Sequence, residues 1–176
     1  MRGRGGRKNL LTIERMTRED LDEVVGLERV AFTTPWTRGM YQHEIEKWEG
    51  CYLTARSDGI VVGYGGVLLI LDEAHVMTLA VREDLHRRGL GARLLLELIR
   101  ASEAKGARFL TLEVRKSNLA AIELYAGFGF QIMGERKNYY LDNLENALIM
   151  WTEDITAAEY RCLLDDLWRK YGDACS

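Results

Sequence analysis

The chain has 176 residues, 47% of them hydrophobic and 29% charged, with a formal net charge of −3. That length suits a single domain with its own core, and the charge balance gives no general basis for specific nucleic-acid binding. Apolar stretches such as Gly66–Leu71 and Leu94–Leu96 are too short to span a bilayer, and no signal-type apolar run follows the N-terminus, so a cytoplasmic protein without a membrane partner is expected.

Residues 1–9 carry Arg2, Arg4, Arg7 and Lys8 among glycines and read as a disordered basic tail. The domain is expected over residues 10–154. Leu10–Arg15 reads as a first strand. Thr17-Arg-Glu-Asp20 resembles a capping box, followed by Leu21, Val24 and Val25 at helical spacing. Phe32-Thr-Thr-Pro-Trp36 interrupts that helix, and Thr37 can cap a second one running to about Trp48. Tyr52–Arg56 and Ile60–Leu71 form a hairpin about Ser57-Asp-Gly59, and Ala74–Val81 is another strand.

Leu90–Lys105 is the clearest helix, with Leu94, Leu95, Leu98 and Ile99 on one face. Phe109–Val114 is a short strand. Leu119–Ala126 is a helix capped by Ser117 or Asn118 and ended by Gly127, and Phe130–Tyr139 and Ala147–Trp151 are two late strands. The alternation predicts an α/β protein, with a mixed, mostly antiparallel sheet flanked by helices on both faces. Residues 155–176 form an amphipathic helical extension. In it Thr156-Ala-Ala-Glu159 reads as a capping box, and Leu163, Leu164, Leu167, Trp168 and Tyr171 make an apolar stripe that packs on its own domain or on a partner.

Cys51, Cys162 and Cys175 are scattered, and neither they nor His43, His75 and His86 show metal-ligand spacing, so no metal is expected. The strongest chemical signal is Val81-Arg-Glu-Asp-Leu-His-Arg87-Arg88-Gly89-Leu90-Gly91-Ala92, which joins a strand to the long helix. Spaced glycines expose consecutive N–H groups, a helix N-terminus adds partial positive charge, and two arginines add full charges, a combination suited to a pyrophosphate. No Gly-Lys-Ser/Thr follows, so this is not a Walker loop. Glu113 sits in a strand, where a carboxylate is costly unless solvated, paired or used. It is either an ion-pair partner or a general base. Tyr125, by its place in a helix, reads first as core, and Asn118 as a cap.

The loop Arg87–Ala92 resembles the coenzyme-A pyrophosphate loop of the GNAT acetyltransferases. Phe32–Trp36, Leu71–Ala74, Leu112–Asn118 with Ala121–Tyr125 and Gly129-Phe130, and Asn138-Tyr-Tyr140 extend the likeness to the RimI group, which acetylates the N-terminal alanine of a small-subunit ribosomal protein. The resemblance runs from about Leu10 to Trp151. It implies the splayed GNAT sheet, with acetyl-CoA as co-substrate and a protein N-terminus, that of a ribosomal protein, as acceptor.

It further implies cofactor contacts from Leu79, Ala80, Val81, Arg87, Arg88, Gly89, Leu90, Gly91, Ala92, Asn118 and Tyr125, with backbone N–H groups of Leu79–Val81 supporting the thioester oxygen. Glu113 would be the general base and Tyr125 the general acid, and the two are expected to converge on one cleft. Trp36, Tyr139 and Tyr140 would wall the acceptor site; plain packing explains Trp36 equally well, and strand alternation lets only one of the two tyrosines face inward. The sequence departs from the group at Leu141, where a proline is usual, and at Glu145-Asn-Ala147, where Glu-Asp-Ala is usual. A different acceptor amine, including a lysine side chain, and a non-catalytic acyl-CoA-binding module are the competing readings.

Overall fold

A computed structural model describes residues 11–172. The basic segment of residues 1–9 and Cys175 lie outside the described residues. Seven strands form one sheet in the order β1-β2-β3-β4-β5-β7-β6. They are β1 (Leu11–Arg15), β2 (Gly50–Ser57), β3 (Ile60–Ile70), β4 (Glu73–Val81), β5 (Phe109–Arg115), β6 (Gln131–Tyr140) and β7 (Glu145–Trp151). All neighbours are antiparallel except β4 and β5. The helices are α1 (Leu21–Ala31), α2 (Arg38–Glu46), α3 (Leu90–Ala104), α4 (Leu119–Gly127) and α5 (Ala158–Tyr171). No helix among the described residues is long and apolar enough to cross a membrane.

Helix α1 puts Leu21, Val24 and Val25 into a core with Tyr41, Tyr52 and Tyr64 on one face of the sheet. Helix α3 buries Leu94, Leu95, Leu98 and Ile99 against the other face. Close approach depends on glycine on both faces. A Cβ at Gly65 would lie 2.8 Å from Leu98 Cδ1, and one at Gly66 would meet the Tyr52 ring at 2.1 Å.

The decisive irregularity is between β4 and β5. Parallel pairing covers only Glu73–Phe109, Ala74–Leu110 and His75–Thr111. From Val76 onward β4 pairs with β3 alone, and from Leu112 onward β5 pairs with β7 alone. A bulge at Met77, opposite Gly66 and Val67, falls where the strands separate. The sheet therefore opens toward the C-terminal ends of β4 and β5.

Several local expectations are refined. Thr17–Asp20 leads into a short 3₁₀ turn, with the Asp20 carboxylate accepting the Thr17 N–H at 2.7 Å, before α1 begins. Thr37 caps α2, which ends at Glu46, and Asn118 rather than Ser117 caps α4 by accepting the Ala121 N–H at 3.2 Å. Gly127 is the last residue of α4; the left-handed turn falls at Gly129, φ +81°. The Thr156 capping box does not form, because Thr156 donates its N–H and hydroxyl to Asp154 instead. Helix α5 packs back on the domain: Tyr160 donates to the Phe128 carbonyl at 2.7 Å, and Arg93 lies 4.5 Å from the Trp168 ring centre.

Candidate active site

The strand-to-helix loop after β4 is built from backbone. Arg87 takes φ +61° and Gly89 φ +82°, so the chain reverses twice before α3 starts. Gly89 is the N-cap of that 15-residue helix and supplies no side-chain acceptor. The first-turn N–H groups therefore face outward, with the positive end of the helix dipole behind them. Gly91 is helical, and a Cβ there would come no closer than 3.8 Å to Leu124 or Val81, so internal packing does not require a glycine at this position. Leu90 and Ala92 are buried and can contribute only main chain to a ligand. Arg87 and Arg88 are exposed. His86, which sequence spacing marked only as lacking a metal partner, bonds through Nε2 to the Val81 carbonyl at 2.7 Å and ties the loop to the strand end. This cradle fits a pyrophosphate.

Beside it an open cleft of about 900 Å³ is lined by Leu27, Val30, Ala31 and Phe32, by Leu79, Ala80 and Val81, by Arg82, Glu83, Asp84 and His86, and by Asn118. The structure thus gathers the predicted residues Leu79–Val81 and Asn118 on one surface. The outer edge of β4 is without a sheet partner at these positions, so its main chain is available to a ligand.

Glu113 and Tyr125 do not share a face. Glu113 leaves β5 on the same side as Arg115, whose guanidinium reaches Thr33 between α1 and α2. Tyr125 is 8% exposed and packs with Leu110, Leu112 and Val114 on the α3 side, its ring 5.5 Å from that of Phe130. The two approach the opened part of the sheet from opposite sides of β5.

Tyr140 lies within electrostatic reach of both: Glu113 acts on the Tyr140 phenol, and Tyr140 on that of Tyr125. Burial pushes the Tyr140 phenol up to about 12, with Arg115 opposing and Tyr139 and Glu113 reinforcing. Burial, then Tyr140, raises the Tyr125 phenol well above its ordinary value, which keeps it protonated throughout the working range. The partner of Glu113 is Arg136 on β6, 3.3 Å away, and not Arg115.

Tyr139 and Tyr140 escape strict alternation. Arg136 pairs with Ala147 and Tyr140 with Glu145, so three β6 residues oppose one on β7, and Asn138 turns left-handed at φ +52°. Tyr139 is exposed and Tyr140 half-buried, their rings edge-on at 5.2 Å. Trp36 packs on Tyr41 at 5.2 Å and Tyr52 at 6.4 Å, so its ring belongs to the α1–α2 core. Cys51 on β2 and Cys162 on α5 stand outside the cleft lining.

Comparison with known proteins agrees with this geometry. Residues 21–130 match the acetyltransferase (GNAT) family. The chain belongs to the GNAT acetyltransferase family. Members of the family use acetyl-CoA, and this chain is an acetyltransferase of that kind. An Escherichia coli K12 relative, named ribosomal protein bS18-alanine N-acetyltransferase, is 37% identical over 142 residues, 79% of this chain and 95% of its own. A Bacillus subtilis protein named provisionally for the same reaction is 40% identical over 145 residues, 82% of this chain and 96% of its own.

The solved E. coli ribosomal-protein-S18-alanine N-acetyltransferase superposes with TM-score 0.77 at 34% identity, covering 85% of this chain and 97% of that one. Ard1 from Thermoplasma volcanium gives 0.74 at 27% identity, covering 80% and 95%. The GNAT sheet expected from the sequence is therefore present, as is the RimI likeness. Sequence reasoning set Arg115 beside Glu113 only as a possible ion-pair partner, and it missed Glu28. Arg115 shares the strand parity of Glu113. Glu28 extends the Leu21, Val24, Val25 stripe by one helical step, and a charge in such a stripe is the signal that could have found it.

Proposed function

We propose that this GNAT enzyme transfers an acetyl group from acetyl-CoA directly to the N-terminal α-amine of a protein in the cytoplasm, that of an alanine-starting ribosomal protein of the bS18 kind. The observation that supports it most is the separation of β4 from β5 beside a left-handed loop at a helix N-terminus, with Leu79–Val81 and Asn118 on the adjoining cleft. The acceptor assignment leans on relatives at 37–40% identity that span nearly their full length.

In this reading Arg87, Arg88 and the main chain of Gly89–Ala92 hold the pyrophosphate, and Asn118 contacts the cofactor while capping α4. Acetyl-CoA supplies an activated thioester. Main-chain N–H groups of Leu79–Val81 support charge on its carbonyl oxygen. An N-terminal amine has a reference pKa near 8 and is mostly protonated at neutral pH, so it must lose a proton before it attacks. Glu113 takes that proton, directly or through water. Tyr125 then donates to the departing sulfur. A thiolate of ordinary pKa about 8.5 is a weaker base than a phenolate raised above 10, so the phenol assists mainly by hydrogen bonding as the C–S bond breaks.

Tyr139 and Tyr140 wall the acceptor side, and Trp36 supports that wall from the α1–α2 core, where its ring packs on Tyr41 and Tyr52. Thr33 and Arg115 both hold Asp142, which links the α1–α2 connection to the β6–β7 turn. Free-thiol release from acetyl-CoA tests the assignment. Turnover is expected with an Ala-starting hexapeptide, and none with the same peptide blocked at its N-terminus and carrying an internal lysine. Turnover of the blocked peptide would make the chain a lysine enzyme. Tight binding of acetyl-CoA without turnover of either would remove the acceptor assignment.

A further inference from the structure

Glu28 is 3% exposed, and no salt bridge to it is found among the described residues. It is buried because it occupies the core-facing stripe of α1, one helical step beyond Val24 and Val25. Such a carboxylate is expensive, and an apolar replacement of similar shape is often neutral or stabilising, so stability alone gives no reason for it. What compensates it is three donors. One carboxylate oxygen accepts the Trp36 N–H at 3.0 Å, and the other accepts the hydroxyls of Tyr41 and Tyr64.

One of these bonds reaches the 32–37 connection directly, at Trp36, and the other two hold Tyr41 on α2 and Tyr64 on β3 behind it. Thr33, Thr34 and Pro35 are exposed and lie outside regular structure. At its far end Thr33 donates to Asp142 at 2.7 Å, and at its near end Glu28 holds the Trp36 main chain. The Trp36 ring rests on Tyr41, which meets Tyr64 edge-on at 5.9 Å, and Glu28 binds both phenols. A single carboxylate thus fixes both the backbone and the ring of Trp36.

We infer that Glu28 is the positioning residue of the acceptor wall, setting the 32–37 connection through Trp36 and thereby the affinity for the incoming peptide end. The inference rests on the acceptor reading above. It makes Glu28 neither a proton carrier nor a ligand of acetyl-CoA.

Hydrogen–deuterium exchange and steady-state kinetics on Glu28→Gln test it together. Glutamine keeps the shape but has one acceptor oxygen where the carboxylate has two, so it cannot accept from the Trp36 N–H and from both hydroxyls at once. The variant is expected to exchange amides of residues 32–37 about tenfold or more faster while α3 keeps its protection. The KM for the Ala-starting hexapeptide should rise about tenfold, with kcat and the KM for acetyl-CoA within about twofold of the parent. Unchanged protection at 32–37, loss spread equally over α3, or a fall in kcat at constant peptide KM would each overturn the proposal.

If Glu28→Gln does not fold, Tyr64→Phe removes one of the two phenol donors and should give the same pattern at smaller amplitude; its absence there also overturns the proposal. Failure of the parent enzyme to turn over the hexapeptide would count against the acceptor reading, and the exchange result would then decide the role of Glu28 by itself.

Discussion

The guanidinium of Arg115 lies 3.9 Å from the centre of the Tyr140 ring, and the same group bonds Asp142, Asn143, Glu145 and Thr33. One side chain thus stacks the half-buried tyrosine and ties the β6–β7 turn to the α1–α2 connection. Lysine cannot reproduce this, because it lacks the planar fork that stacks and donates in several directions at once. Arg115→Lys is expected to raise the peptide KM about tenfold with little change in the KM for acetyl-CoA, as read by initial rates at varied peptide.

Glu113 has solvent access and, among the described residues, one ion pair, to Arg136. Glu113→Gln keeps its shape and removes its basicity. The expected result is a loss of about 10²–10⁴ in kcat/KM at neutral pH with a melting temperature close to that of the parent. A loss under threefold would remove Glu113 from the chemistry.

No hydrogen bond involving the Tyr125 hydroxyl is found among the described residues, although its ring is buried. Tyr125→Phe should therefore fold normally and lose about ten- to a thousandfold in kcat. The raised phenol pKa predicts a further sign. The proton is held above its ordinary range, so kcat should not fall between pH 8 and about 10 through ionisation of Tyr125. A descending limb in that interval that vanishes in the Phe variant would contradict the assignment.

The two loop glycines should separate strain from ligand approach. Gly89→Ala forces a side chain into φ +82° and is expected to cost about 1–2 kcal/mol in denaturant unfolding. Gly91→Ala meets only ordinary contacts and replaces a helical glycine, so it should stabilise by up to about 1 kcal/mol. Both should raise the KM for acetyl-CoA. A Gly91→Ala enzyme with parental affinity would show that the first turn of α3 does not meet the cofactor.

Acid should loosen the β6–β7 turn. Hydrogen bonds from Ser117, then Asn143 and Arg115, hold the Glu145 carboxyl at about 2 instead of 4.5. Between those values the unfolded chain binds more protons, so stability falls as pH drops from about 4.5 toward 2. Glu145→Gln removes this contribution. Its urea midpoint should depend less on pH over that window than the parent's, while a parallel pair of curves would refute the coupling.

Much of this architecture is written locally. The leucine stripe gives α3 its buried face, Thr37 and Asn118 act as the caps their spacing suggests, and Asp58 and Gly59 make the hairpin turn with φ of +51° and +83°. The failures are equally physical. Thr156 matches a capping box, yet Asp154, two residues back, accepts its N–H and hydroxyl. Tyr139 and Tyr140 follow no simple alternation because Asn138 turns left-handed inside β6. Long-range pairing is beyond local pattern altogether: nothing in Ala74–Val81 or Phe109–Arg115 announces that these strands share three register pairs and then separate.

The parted strands make this a sheet lacking one ribbon of backbone along part of its width. Whatever enters that slot meets main chain on β4 rather than particular side chains, so replacements at Leu79, Ala80 or Val81 that keep a β-strand should be tolerated more readily than a single proline. The site is in this sense insulated from drift in its own lining, and vulnerable to any change that lets the two strands close.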